Sequence, residues 1–331
     1  MKKARWGILG VAKINDRLLP SFAKARNLEL FGIASRSLDR AQAAAKAAGI
    51  PQAYGSYEAL LDDPNIDIVY NPLPNTLHAE WTKKAADRGK HVLCEKPLTA
   101  TAPEAQEVVD YCAARKVNLM DGFMWPHHPR TKMLRDYLDQ GKIGAVQRVV
   151  SAFTFKMEHL DTKNIRLQPD LGGGSLLDVG CYPIYGIRWA MKAEPVRVQA
   201  YARYVNGCDV EMHGTLWFPE NRIANFDCGF VHPFRQWLEI TGTEATAYVH
   251  EMWVPGPKAT WVTTREKNFK VEMPVDGVEG EDQIQHMLEN FSRSVLEKTP
   301  VSPPPTEAVK TLKVLDALTA SAKTDGTIVE L

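Results

Sequence analysis

Lys96 follows the apolar run His91-Val92-Leu93-Cys94 and stands between Glu95 and Pro97. Such a short apolar run reads as a buried strand. A cation at the carboxyl end of a parallel strand lies where open α/β sheets bind ligands. Pro97 restricts Lys96 to extended backbone and suits a tight turn, a cis peptide bond included. The second chemical candidate is Tyr182, with Asp178 four residues before it. A phenol titrates near ~10, and a neighbouring ammonium lowers that value by stabilising the phenolate. Lys96 and Tyr182 together would make an acid–base pair for proton transfer to or from a hydroxyl. If a helix has begun at Asp178, the spacing of four sets both side chains on one face. Asp178 then anchors a hydroxyl of the substrate, holds Lys96 charged, or caps its helix; these readings stay open.

The elements that must position these groups begin with the strand Arg5-Trp6-Gly7-Ile8-Leu9. Gly10-Val11-Ala12-Lys13-Ile14-Asn15 follows, and a helix is expected from there to Ala25. A dinucleotide turn needs small residues for tight bending and close approach to a pyrophosphate. Gly10 meets the first need, Ala12 stands at the second glycine position and Asn15 at the third, so the fingerprint is reduced. Leu28 to Ala34 is the next strand, ending in Ser35-Arg36-Ser37. An acid here would grip the ribose of NAD. Ser35, Arg36 and, one helical turn on, Arg40 instead suit a 2′-phosphate. NADP is therefore favoured over NAD. Ile66 to Tyr70 is a further strand, and it runs into a lip of Asn71, Pro72, Leu73 and Asn75, with His78 in the first turn of the next helix. Helices at 38–48, 78–88 and 102–115 alternate with strands, the last near 117–122. That rhythm predicts a parallel, doubly wound sheet, a Rossmann domain over residues 1–124.

Composition narrows the class. The 331 residues carry 40 Lys and Arg against 40 Asp and Glu, which gives no electrostatic reason for nucleic acid or anionic membranes as partners. The five cysteines are scattered without a CxxC pair, so neither a disulfide framework nor a metal site is expected. A reducing cytoplasm fits this usage. No export signal or membrane span is expected.

From about Trp125 the pattern changes. A helix at 130–140 and a strand at 146–156 precede Gly172-Gly173-Gly174, where backbone can approach a ligand closely. A helix from Tyr182 to Met191 follows. Strands are expected at 196–205, 210–218, 222–231, 237–254 in two pieces, and 260–273. Helices at 282–298 and 306–322 and a strand at 327–331 close the chain. This is the α+β pattern, an antiparallel sheet with helices on one face, assigned to residues 125–331. Trp217, Phe226, Trp237, Trp253 and Trp261 serve either the core or a subunit contact.

Together these residues resemble a known family, the Gfo/Idh/MocA oxidoreductases. The resemblance rests on Trp6 to Gly10, on the lip from Pro72 to His78, on Gly89 to Leu98 with its Glu-Lys-Pro step, and on Gly172 to Tyr182. It covers essentially the whole chain. The glycine run to Tyr182 looks like the branch of dimeric dihydrodiol dehydrogenase, NADP-dependent xylose dehydrogenases and sugar ketoreductases. The resemblance implies a large open sheet in the second domain that binds substrate and joins subunits into a homodimer or homotetramer. It implies hydride transfer between NADP and a secondary alcohol or ketone of a sugar or cyclic polyol, with Tyr182 as acid/base, Lys96 beside it and Asp178 assisting. It also implies cofactor contacts from Gly10, Val11, Ala12, Ile14, Ser35, Arg36, Arg40, Asn71, Pro72, Leu73, Asn75, His78, Glu95, Lys96 and Arg166. Pro126 replaces an arginine found in many relatives. Two other functions are weighed: redox-neutral chemistry with a retained nicotinamide, and an NADP-binding sensor without turnover.

Overall fold

The computed structural model describes residues 2–267 and 270–331. The chain forms two compact units, Met1–His127 with Asp282–Val309, and His128–Glu281 with Lys310–Leu331. In the first, β1 (Ala4–Leu9), β2 (Leu28–Ala34), β3 (Gln52–Tyr54), β4 (Ile68–Asn71), β5 (His91–Cys94) and β6 (Leu119–Asp121) form one sheet in the order β3-β2-β1-β4-β5-β6. Every neighbouring pair is parallel. Parallel pairing needs long crossovers, usually helical. These contain α1 (Asn15–Lys24), α2 (Leu38–Ala48), α3 (Tyr57–Asp62), α4 (His78–Asp87) and α5 (Ala102–Ala114). Local chemistry sets their ends: Ser37 caps α2 by accepting from the Arg40 amide, and Gly49 closes it in the left-handed region at φ +66°. The order of strands reverses between β1 and β4, which makes the carboxyl ends of these strands the place for a ligand.

In the second unit α6 (Pro129–Asp139) leads to β7 (Val146–Thr154). A π-helical turn, Leu176–Gly180, then runs directly into α7 (Cys181–Met191). The strands that follow are β8 (Arg197–Val205), β9 (Cys208–Trp217), β10 (Ile223–Gly229), β11 (Arg235–Gly242), β12 (Thr246–Val249), β13 (Lys258–Lys267), β14 (Lys270–Glu272) and β15 (Val275–Glu279), with β16 (Val329–Glu330) near the end of the chain. Among the described residues they make a ten-stranded sheet, β14-β13-β12-β11-β7-β10-β9-β8-β16, with β15 paired to β13. Its pairs are antiparallel except β7 with β10. Part of the strand expected at 260–273 lies outside the described residues. On β10 Ala224, Phe226 and Cys228 are buried while Ile223, Asn225 and Asp227 are half-buried, the alternation of a sheet covered mainly on one face. Phe226, Trp253 and Trp261 are core at 3, 1 and 2% exposure. Trp217 and Trp237 are half-buried.

The expected division at residue 124 differs from this arrangement. The first unit continues to His127 and takes back 282–309. The reason is α8 (Gln283–Glu297), whose Ile284, Met287, Leu288 and Phe291 recur at helical spacing and enter the same core as Trp6, Phe22 and Tyr70. Trp6 sets its ring edge-on to Phe22 and Phe291, centroids 5.4 and 5.9 Å away, and its Nε1 donates to Ser292 Oγ at 3.0 Å. Asp282 caps α8 and accepts from Ser21 on α1. The closing helix is α9 (Thr306–Lys323). Among the described residues no helix is long and apolar enough to cross a membrane. All five cysteines are free and buried.

Candidate active site

In the first unit the expected residues gather at the carboxyl ends of β1, β2, β4 and β5. Gly10 leaves β1 at φ +103°, a region that favours glycine, and its amide donates to the Ala34 carbonyl at 2.9 Å. A Cβ added at Gly10 would stand 3.3 Å from the Leu73 side chain, so the absent side chain keeps a notch between the first turn and the lip. Asn15 shows how the turn holds its shape without a third glycine. Its Nδ2 donates to the Gly10 carbonyl at 2.9 Å, bracing the loop Val11–Ile14 at the amino end of α1. Such a helix end favours a phosphate.

Ser35 is buried at the end of β2, and its Oγ accepts from the Ser37 amide. Arg36 and Arg40 are exposed, and neither enters an ion pair among the described residues. Two uncommitted guanidiniums beside a hydroxyl fit the 2′-phosphate of NADP. The residues present thus fit the cofactor.

The lip is built differently from the expectation. Asn71 is 0% exposed, and its Nδ2 donates to the His78 carbonyl and Thr82 Oγ1 while its Oδ1 accepts from the Leu73 amide. His78, 1% exposed, sets Nδ1 2.9 Å from the Pro97 carbonyl and Nε2 2.6 Å from the Leu73 carbonyl. Burial holds its imidazole below the usual range, against the pull of those carbonyls. Both side chains were expected to contact cofactor. Both are enclosed, and they tie the lip to the Lys96–Pro97 turn, whose peptide bond is cis. Pro72 and Leu73 are buried and Asn75 is half-buried in this lip.

Glu95 is buried beside Lys96. Tyr70 at the end of β4 donates its hydroxyl to Glu95 Oε1 at 2.6 Å, and the Lys96 amide donates to Oε2 at 3.2 Å. Burial pushes the Glu95 carboxyl above the ordinary glutamate range, opposed by Lys96, the Tyr70 hydroxyl and Arg17. Gly122 makes room for it: a Cβ there would stand 3.2 Å from Glu95 Oε1. The sequence carries no local signal for Tyr70, because only strand pairing brings it to Glu95. Burial also raises the thiols of Cys94 and Cys228 well above their ordinary value, which makes them inert core groups.

In the second unit Tyr182 lies one position into α7 with 6% exposure. Its ring packs edge-on to Phe153 at 5.1 Å and tilted to Trp253 at 6.0 Å. Asp178 stands inside the π turn, not at its N-cap, which overturns the capping reading. Its Oδ2 accepts from Arg166 Nε at 2.6 Å, and the guanidinium also lies over the Phe155 ring. Arg166 was expected at the cofactor; the structure pairs it with Asp178 in the second unit. The π turn has a cause in Pro183. A proline there lacks the amide that an α-helix would direct to Val179, and its ring would press on that carbonyl. A wider turn relieves the conflict, and such turns recur at functional sites. It also means that a spacing of four does not by itself put Asp178 and Tyr182 on one face.

A family described as an oxidoreductase family with an NAD-binding Rossmann fold matches residues 4–123. The protein is an NAD(P)-dependent dehydrogenase or reductase. A companion description, the GFO/IDH/MocA C-terminal domain, matches residues 131–248. The chain belongs to the GFO/IDH/MocA family. It is 38% identical over 328 residues to a protein from Haloferax volcanii named D-xylose 1-dehydrogenase (NADP(+)) 2, covering 98% of this chain and 99% of the relative. It is 34% identical over 295 residues to dTDP-3,4-didehydro-2,6-dideoxy-alpha-D-glucose 3-reductase of Actinomadura kijaniata, covering 88% of this chain and 87% of that one. Among solved structures, a 3-ketoreductase from Actinomadura kijaniata in complex with NADP and TDP-benzene superposes with a TM-score of 0.89 at 30% identity, over 97% of this chain and 98% of that one. Variants of that reductase with a tyrosine changed to phenylalanine and a lysine changed to alanine have been solved with both ligands.

Proposed function

We propose that this protein is an NADP-dependent oxidoreductase acting on a secondary alcohol or ketone of a sugar or related cyclic polyol, with Tyr182 as the acid/base assisted by Lys96. The observation that carries the cofactor is the pair of exposed, uncommitted guanidiniums, Arg36 and Arg40, beside Ser35. The relatives agree in cofactor: one bears NADP(+) in its name and another was solved with it.

NADP, when bound, accepts or supplies the hydride. The chain's own residues handle the proton and hold the sugar. Tyr182 takes the hydroxyl proton in oxidation and returns it in reduction, and the Lys96 ammonium favours its phenolate. Asp178, oriented by Arg166, accepts a hydrogen bond from a neighbouring sugar hydroxyl. Glu95, held by Tyr70, and His78 keep the Lys96–Pro97 turn in place. The outward face of the second unit's sheet, with Tyr201, His213, Trp217 and Trp237, joins two copies. Five reduced, buried thiols suit the cytoplasm.

Oxidation of D-xylose with NADP, followed by nicotinamide absorbance, tests the assignment. Tyr182→Phe is expected to lower kcat by roughly 100- to 10,000-fold with NADP affinity unchanged. Unchanged turnover would remove Tyr182 from the chemistry. Bound NADP with no turnover of any aldose, ketose or cyclic diol would favour the sensor.

A further inference from the structure

The helix that bears Asp178 and Tyr182 is held at its start by a residue far away in sequence. Asp209 lies at the second position of β9. The pairing of β8 with β9 slips between Arg203↔Glu211 and Tyr204↔Asp209, leaving Val210 as an extra residue. Such a bulge re-aims the side chains around it. Without it, Asp209 would share a face with Glu211, His213 and Thr215. With it, the Asp209 carboxylate reaches the start of the π turn. Its Oδ2 accepts from Ser175 Oγ at 2.6 Å and from the Leu176 amide at 2.7 Å. Its Oδ1 occupies the space above Gly174, where any Cβ would collide with it, and Gly174 holds φ +123°. The same cluster includes Cys228 on β10, whose Sγ lies 3.7 Å from Ser175 Oγ. A Cβ at Gly180, at the other end of the turn, would meet that Sγ at 2.8 Å. The turn is therefore gripped at both ends by β9 and β10.

We infer that Asp209 is a positioning residue for the site: its carboxylate clamps the first amide of the π turn and so sets the register from which Asp178 and Tyr182 project. A side chain that bonds the first helical amide fixes the origin of every later residue in that helix. The favourable interaction of an anion with a helix amino end adds to the hold. The inference rests on the reading of Tyr182 as the acid/base, and the test separates the two.

The test uses the full chain and the sugar assay described above, with variants Asp209→Asn, Asp209→Ala, Tyr182→Phe and the double variant Asp209→Asn/Tyr182→Phe. Asp209→Asn preserves volume and one acceptor oxygen, so it is the variant expected to fold. Its kcat is expected to fall by about 10-fold, and that of Asp209→Ala by about 100-fold, with NADP affinity unchanged; a 1 Å misplacement alone can cost that much. Adding Asp209→Asn to Tyr182→Phe is expected to cost clearly less than the same change costs in the parent chain, because only Asp178 is then left for the clamp to position. Amide hydrogen exchange is expected to speed up in peptides covering 174–182 and to stay unchanged in those covering β1 and β2. Full kcat in Asp209→Asn, or equal losses in both backgrounds, would overturn the positioning role even where Tyr182→Phe is inactive. A fully active Tyr182→Phe would instead overturn the underlying assignment. Should Asp209→Asn fail to fold, Ser175→Ala removes one of the two bonds to Oδ2; unchanged kcat and exchange in that variant would count against the clamp.

Discussion

Replacing Tyr70 by phenylalanine removes a single oxygen from the interior and leaves the ring in place, so the change tests the bond that this oxygen donates to Glu95. That bond, 2.6 Å from the Tyr70 hydroxyl to Glu95 Oε1, is buried and ends on a carboxyl group beside Lys96. A hydrogen bond to a charged group contributes about 1.5–3 kcal/mol, and one to a neutral group about 0.5–1.5 kcal/mol. The cost of Tyr70→Phe therefore depends on whether Glu95 is ionised. Burial already holds its folded pKa above the ordinary value, and the Tyr70 hydroxyl is one of the groups that pull it back down. A raised carboxyl pKa means that the folded chain binds the extra proton between the unfolded and folded values. Stability from this group is then greatest below the unfolded pKa, declines as pH rises above it, and has reached its lower level above the folded pKa. Losing the hydroxyl raises the folded pKa further, so the decline is larger and extends to higher pH. Thermal unfolding of the full chain should show Tm lowered by about 3–12 °C at about pH 8, using 2–4 °C per kcal/mol for a unit of this size. At about pH 4 the loss should be roughly half as large. An equal drop at both pH values, or none at the higher one, would refute the claim that the hydroxyl supports an ionised Glu95.

Two further outcomes follow from the site. Arg36→Ala should weaken NADP by about 10- to 100-fold in a fluorescence titration while leaving NAD nearly unchanged, as expected for one charge-assisted contact to the 2′-phosphate; an equal loss for both cofactors would place Arg36 elsewhere. Arg166→Ala removes the guanidinium that meets Asp178 Oδ2 at 2.6 Å, so kcat/KM for the sugar should fall by about 10-fold with the NADP dissociation constant unchanged; weakened NADP binding would instead support the cofactor contact that the family resemblance implies for this arginine.

Much of the first unit was legible because its signals are local. The Leu38–Ala48 helix and the Leu28–Ala34 strand coincide with their expected bounds, since apolar period and capping residues lie within them. Gly10, Ser35, Arg36 and Lys96 could be assigned to strand ends because chain order along a doubly wound sheet dictates that all its active loops share one edge. The short β3 and the late β15 are not legible in the sequence, as their residues carry no sustained alternation. The cis bond at Lys96–Pro97 is one that the residue type allows and the fold selects.

What the sequence determined by itself, then, was the list of elements and the chemical types at their ends, because period and turn chemistry are written in adjacent residues. The tertiary structure decided the partnerships. It returned α8 to the sheet of the first unit through Trp6 and Phe291, and it made His78 and Asn71 braces of the lip. It gave Arg166 to Asp178, Tyr70 to Glu95 and Asp209 to the π turn. Each of these contacts joins residues whose meeting depends on strand register, a bulge or a helix's return path. Such meetings are fixed by how the whole chain packs, and no window of neighbouring residues contains them.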